Sequence, residues 1–159
     1  MHKDRSGGFT LIELMVVVVI IGILATLALV AFKGSSDKAR YAGAKIMLKR
    51  LFEVLEEYYL ARGCFPTDVS RNTPPPGLVP SYLDEWPLPS RDAFNSMYDY
   101  ECHIYDGKVC VGVTYLGKDK EHSHDWNYGF ANGNEGEILE IPNSDDLFIV
   151  VAKDVTQCP

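Results

Sequence analysis

The stretch Arg5–Phe32, RSGGFTLIELMVVVVIIGILATLALVAF, decides how the rest of the chain is read. From Phe9 to Phe32 every residue is apolar, small or hydroxylic except Glu13. The uncharged part, Leu14 to Phe32, is long enough to cross a bilayer as a helix rising ~1.5 Å per residue. A cleavable secretory signal would have an apolar part of only about 7 to 15 residues ending in an A-x-A-like site, and it would not carry Gly7-Gly8 in front. A carboxylate driven to the bilayer centre costs on the order of 3 kcal/mol. Glu13 therefore needs a reason beyond anchoring.

Charge gives the segment a direction. Lys3 and Arg5 against Asp4 make the first eight residues +1, which leaves −8 for the remainder of a chain whose net charge is −7. Basic residues before a membrane helix stay on the cytoplasmic side, so the acidic body is expected on the exported side. An acidic body without a basic patch is a poor fit for nucleic acid.

The helix is expected to continue past Lys33, because there is no proline between Phe9 and Arg62. Ala44, Leu48, Leu51, Leu55 and Tyr58 recur at steps of four and three, one face of an amphipathic helix. Lys45, Lys49, Arg50, Glu53, Glu56 and Glu57 fill its solvated face. Gly34 and two serines weaken helix propensity at the joint between the halves, and Gly63 with Pro66 ends the helix. Six of the nine prolines lie between residues 74 and 89, which excludes a helix or central strand there. Strand-like runs follow at Met97–Ile104, Lys108–Leu116, Glu137–Ile141 and Leu147–Lys153, with a polar loop from Gly117 to Asp146. The predicted fold class is α+β: a long N-terminal helix packed on a small antiparallel sheet. The predicted organisation is a leader at 1–8, a transmembrane or filament-core helix at 9–32, an amphipathic half at 33–63 and a head at 64–159.

Four cysteines in an exported body favour disulfides. A three-residue loop Tyr105-Asp106-Gly107 would place Cys102 opposite Cys110, leaving Cys64 for Cys158. Catalysis has little support, since the histidines are dispersed and no nucleophile elbow, H-E-x-x-H or phosphate loop occurs. HSHD at 122–125 offers two imidazoles without an obvious third and fourth ligand for zinc. Asp119, Asp125, Asp145 and Asp146 bracket a Gly- and Asn-rich segment and are oxygen donors of the kind calcium takes. No EF-hand spacing is present.

The segment GGFTLIELMVVVVIIGILATLALVAF resembles the N-terminus of the type IV pilin superfamily. The match is a short basic leader ending in glycine, then phenylalanine, then glutamate as the fifth residue of the mature chain. The resemblance implies a pilin-like fold, cleavage between Gly8 and Phe9 by a prepilin peptidase, N-methylation of Phe9, and a role for Glu13 in assembly. It further implies a structural subunit and not an enzyme. The subunit would sit in the inner membrane with its N-terminus cytoplasmic and its head periplasmic, then join a filament of itself and other pilins or pseudopilins on an inner-membrane assembly platform. Val30 departs from the family, many members of which have proline there.

EEYYLARGCFPTD (56–68) and YLDEWPLPSRDAFNSMYDYE (82–101) are most similar to the major pseudopilin of type II secretion systems, whose filament pushes folded proteins outward. YLGKD (115–119) and NSDDL (143–147) are similar to segments enclosing that family's calcium site. This implies calcium held by the Leu116 carbonyl and by Asp119, Asp145 and Asp146. The loop from Lys120 to Ser144 is longer than the family's. A disulfide near the C-terminus is more typical of type IV pilins, so a pilus subunit for adhesion, motility or DNA uptake is the second expectation. A membrane-anchored binding or enzymatic domain is the third.

Overall fold

The computed structural model describes residues 9–122 and 126–159; the side chains of residues 28–34 fall outside the description. Helix α1 runs Leu11–Arg62. The chain divides into two compact units that meet at Ala39 and Arg40.

In the first unit every large apolar side chain between Phe9 and Leu27 is exposed. Among the described residues no helix is long and apolar enough to cross a membrane.

In the second unit the helix buries the stripe that its sequence period marks. Ala44, Leu48, Leu51, Leu55 and Tyr58 are nearly inaccessible, joined by Val54. Burying each large side chain is worth about 1.5–3 kcal/mol, so this face and not intrinsic propensity holds the helix to the sheet. Gly63, at φ 71°, donates its N–H to the Tyr59 carbonyl at 2.7 Å and closes the helix in the left-handed conformation that glycine adopts without cost. The proline-rich segment then lays Leu78, Leu83, Trp86 and Phe94 into the same core, with one short 3-10 turn at Pro89–Arg91.

The sheet contains β1 Tyr98–Tyr105, β2 Lys108–Tyr115, β3 Ile138–Glu140 and β4 Leu147–Lys153. All pairs are antiparallel, in the order β1-β2-β4-β3. Period two sorts the strands: Tyr98, Tyr100, Cys102, Val111, Val113, Tyr115, Leu147 and Ile149 face the α1 core. Cys110, Phe148 and Val150 face a second, smaller core on the other side with Phe130 and Ile141. A bulge between β2 and β4 at Val111/Gly112 keeps both sets inward. The polar loop expected from Gly117 to Asp146 contains a short helix, α2 Trp126–Asn132, whose Phe130 is fully buried. With seven residues, three of them aromatic (Trp126, Tyr128 and Phe130), the helix is too short to show a period.

The expected Cys102–Cys110 disulfide is corrected by the hairpin register. The loop has two residues, not three: Tyr105 pairs with Lys108, and Asp106 and Gly107 have φ 49° and 73°, the two positive φ values of a type I′ turn. Removing one loop residue shifts the pairing by one and so reverses which face each β2 side chain shares with β1. Cys102 therefore lies opposite Val111, and Cys110 opposite His103; both thiols are free and buried, in different cores. Burial pushes the Cys102 thiol up to about 11. Cys64 and Cys158 form a disulfide with Cα atoms 5.1 Å apart, flanked by Phe65 N–H to Thr156 O (2.9 Å) and Cys158 N–H to Phe65 O (2.7 Å).

Candidate functional site

Three places concentrate chemistry. The first is the start of α1. Thr10 precedes the helix, and its N–H and Oγ1–H both donate to Glu13 Oε2, at 2.9 and 2.7 Å, while the Glu13 N–H donates to Thr10 Oγ1 at 3.3 Å. This is a capping box, T-x-x-E, in which each side chain satisfies a backbone donor that the helix leaves open. The pattern is written in the sequence as Thr10-Leu11-Ile12-Glu13, at the head of an otherwise apolar run. The capping box gives the carboxylate local partners in the isolated chain. Gly8 and the leader lie outside the described residues, so only the Phe9 side of the expected cleavage bond is described.

The second place is the acidic loop. Asp119, Asp145 and Asp146 are brought together, with one carboxylate oxygen from each lying within 4.8 Å of the others. The turn that carries Asp119 is closed by Lys120 N–H donating to the Leu116 carbonyl at 3.1 Å. Gly117 sits there at φ 56°, and a Cβ on it would come within 2.4 Å of the Asp145 carbonyl oxygen, so the close approach of the two loops requires glycine. Asp145 Oδ2 accepts from the Tyr41 hydroxyl (3.1 Å) and the Asp119 N–H (3.3 Å). Ser144 Oγ accepts the Asp146 N–H at 3.0 Å. Asp125 lies outside the described residues.

The third place lies on the outward face of β1, where alternation puts Asp99, Glu101 and His103 side by side. His122 comes from the loop after β2 to meet them: its Nε2 lies 3.1 Å from Asp99 Oδ2 and 3.3 Å from Glu101 Oε1. His103 Nε2 lies 2.8 Å from Glu101 Oε2 and its ring stacks on Trp126 at 4.2 Å. Asp68 Oδ1, which accepts the Cys102 N–H, is 3.8 Å from His103 Nε2. Burial pushes the Glu101 carboxyl upward, but hydrogen bonds from His122 and His103 outweigh it and hold it below the usual carboxylate range. Hydrogen bonds to Asp99 and then Glu101 push the His122 imidazole up to about 9. Sequence reading noticed His122 only as part of HSHD and missed its carboxylate partners. The available signal was D-Y-E-C-H: three polar side chains at period two in a strand whose other face is apolar.

The described residues thus present a capped helix end and three cation-type groups, Asp119–Asp145–Asp146 and two that share Glu101, Asp99–Glu101–His122 and Asp68–Glu101–His103. The prokaryotic N-terminal methylation motif matches residues 3–29. A type IV major pilin protein PilE1 of Neisseria gonorrhoeae is 37% identical over 81 residues, 49% of each chain. A type II secretion system core protein G of Aeromonas hydrophila is 42% identical over 67 residues, 42% of this chain and 47% of that protein; the protein of that name from Pseudomonas aeruginosa is 40% identical over 67 residues, with the same coverage. The chain spans about half the length of the curated relatives it matches. No solved structure matches it. The chain thus begins with the prokaryotic N-terminal methylation motif, folds as a helix packed on a four-stranded antiparallel sheet, and is similar over about half its length to both type IV pilins and type II secretion core G proteins.

Proposed function

We propose that the chain is a structural subunit of a periplasmic filament, the pseudopilus of a type II secretion system. A prepilin peptidase would free and methylate Phe9 after cleavage at Gly8. The observation that carries this reading is the unbroken exposure of the large apolar side chains from Phe9 to Leu27 in a chain whose other unit is separately cored and acidic. So large an apolar surface needs cover: the inner membrane before assembly, the same helix of neighbouring subunits after it. In such a bundle Glu13 loses water, and a buried carboxylate needs a cation. The α-amino group of Phe9 on a neighbour, present only after cleavage, supplies one and links filament entry to processing.

Glutamine also serves in a capping box, so Glu13→Gln keeps the helix cap and removes the charge, while Glu13→Ala removes both. Both variants are expected to lose filaments in the native host with membrane-inserted monomer retained, and Glu13→Gln to leave the melting temperature unchanged. Filaments from Glu13→Gln at normal yield would reject the charge-pairing role. A type IV pilus subunit is the second reading, favoured by the similarity to type IV major pilins and by the Cys64–Cys158 bridge. A deletion strain separates the two: loss of exoprotein secretion marks the pseudopilus, loss of surface pili the pilus.

We also propose that calcium binds at Asp119, Asp145 and Asp146 with the Leu116 carbonyl. An oxygen-only donor set suits a hard cation, and the cluster is compact enough for carboxylates that would otherwise repel. Bound there, the ion would tie the turn after β2 to the loop before β4. Saturating calcium at 100 times its dissociation constant stabilises by about 2.7 kcal/mol. The full chain is expected to melt several degrees higher in calcium than in chelator, and Asp119→Ala, which alters an exposed residue, is expected to erase the difference. Equal midpoints in calcium and chelator would remove the site.

A further inference from the structure

The geometry points to a second, different cation site: a transition-metal site of the zinc class, held by Asp99, Glu101 and His122 on the outward face of β1. The donor atoms of these three side chains lie within 4.8 Å of one another. They come from two elements far enough apart in sequence that only the fold brings them together. Both acidic residues are buried, with side chains only 11% (Asp99) and 6% (Glu101) exposed.

Two observations favour a metal over an ion-pair cluster alone. An imidazole Nε2 carries at most one hydrogen, yet that of His122 stands within 3.3 Å of an oxygen from each carboxylate. One N–H can only be shared between the two oxygens as a weaker three-centre bond, whereas one cation can be ligated by all three. The second is Asp99 itself. His122 and, at 3.7 Å, Arg71 Nε both approach its Oδ2, while its Oδ1 is buried with no hydrogen-bond partner. Leaving a buried acceptor without a donor is costly, and a metal on Asp99 would relieve it.

The surroundings are those of a ligand set held in place. Glu101 is oriented by His103 on Oε2 and by the Thr114 hydroxyl, which donates to Oε1 at 3.4 Å. Trp126 stacks on His103 and shields that side. Partners of this kind fix the orientation of a metal's ligands. Imidazole nitrogen with carboxylate oxygens selects zinc and its neighbours, whereas calcium takes six to eight oxygens. The site is therefore separate in chemistry from the Asp119–Asp145–Asp146 cluster.

The test uses the full-length chain in detergent, stripped with chelator and titrated with zinc chloride by calorimetry, with cobalt(II) as a spectroscopic substitute. Saturable binding that excess calcium does not displace, with visible cobalt bands, is the expected result. His122→Gln and Asp99→Asn, both close in volume to the native residues, are expected to weaken zinc by about tenfold or more and to abolish the cobalt bands. Asp119→Ala leaves both unchanged. Absence of saturable zinc binding, or zinc binding of undiminished affinity in both His122→Gln and Asp99→Asn, overturns the assignment.

Discussion

Replacing Phe148 by alanine is expected to destabilise the folded chain by about 3–5 kcal/mol, the range for deleting a buried aromatic side chain. Phe148 is fully buried in the smaller core, with Phe130 edge-on at 5.2 Å. Its ring lies between two glycines: a Cβ on Gly112 of β2 or on Gly129 of α2 would stand 2.4 Å from a ring carbon. Neither has a side chain that could swing into the space, so the cavity left by Phe148→Ala collapses little and the cost belongs at the upper end of the range. At roughly 2–4 °C per kcal/mol for a chain of this size, the midpoint should fall by about 10–15 °C. Hydrogen exchange should show residues 126–132 losing protection before the buried face of α1. A loss below about 1 kcal/mol would mean that this core does not hold α2. The reverse change, Gly129→Ala, overpacks the same contact and costs about 1–3 kcal/mol.

Opening the Cys64–Cys158 bridge is expected to cost about 4 kcal/mol, because the bond joins residues 94 apart in sequence and loop-closure entropy grows with loop length. The bridge also fixes the C-terminal strap, which otherwise holds by the two Phe65 backbone hydrogen bonds and the isolated Phe65–Gln157 pairing. Cys64→Ala with Cys158→Ala should lower the midpoint by about 10 °C or more, and reducing the unmodified chain should do the same. A midpoint indifferent to reductant would show that the backbone pairing alone secures the strap.

The helix face at Ala44, Leu48, Leu51, Leu55 and Tyr58 was legible because 3.6-residue periodicity is a repeated signal, and the strand at Leu147–Lys153 because it is an apolar run flanked by turn residues. The hairpin turn was legible as Asp106-Gly107, but its length was not. One residue decides whether Cys102 and Cys110 meet, and the alternation of β1 does not reveal which residue ends the strand. Helix α2 escaped because its buried Phe130 gains its meaning only from Phe148 across the gap. The Asp99–Glu101–His122 cluster escaped for a related reason: period two identifies the two carboxylates, but His122 reaches them through a loop whose path local sequence does not encode. The acidic cluster was different. Asp119, Asp145 and Asp146 stand out as oxygen donors around a Gly- and Asn-rich loop and again by motif resemblance, and the fold brings one carboxylate oxygen of each within 4.8 Å of the others.

The two-residue turn also gives the molecule a pair of native reporters. Because it sends Cys102 and Cys110 to opposite faces, each thiol is sheltered by a different layer: Cys102 by the helix side, Cys110 by the α2 side. A thiol-reactive dye reaches either one only when its own layer opens. The ratio of the two labelling rates therefore measures which side of the sheet parts first, without any introduced probe.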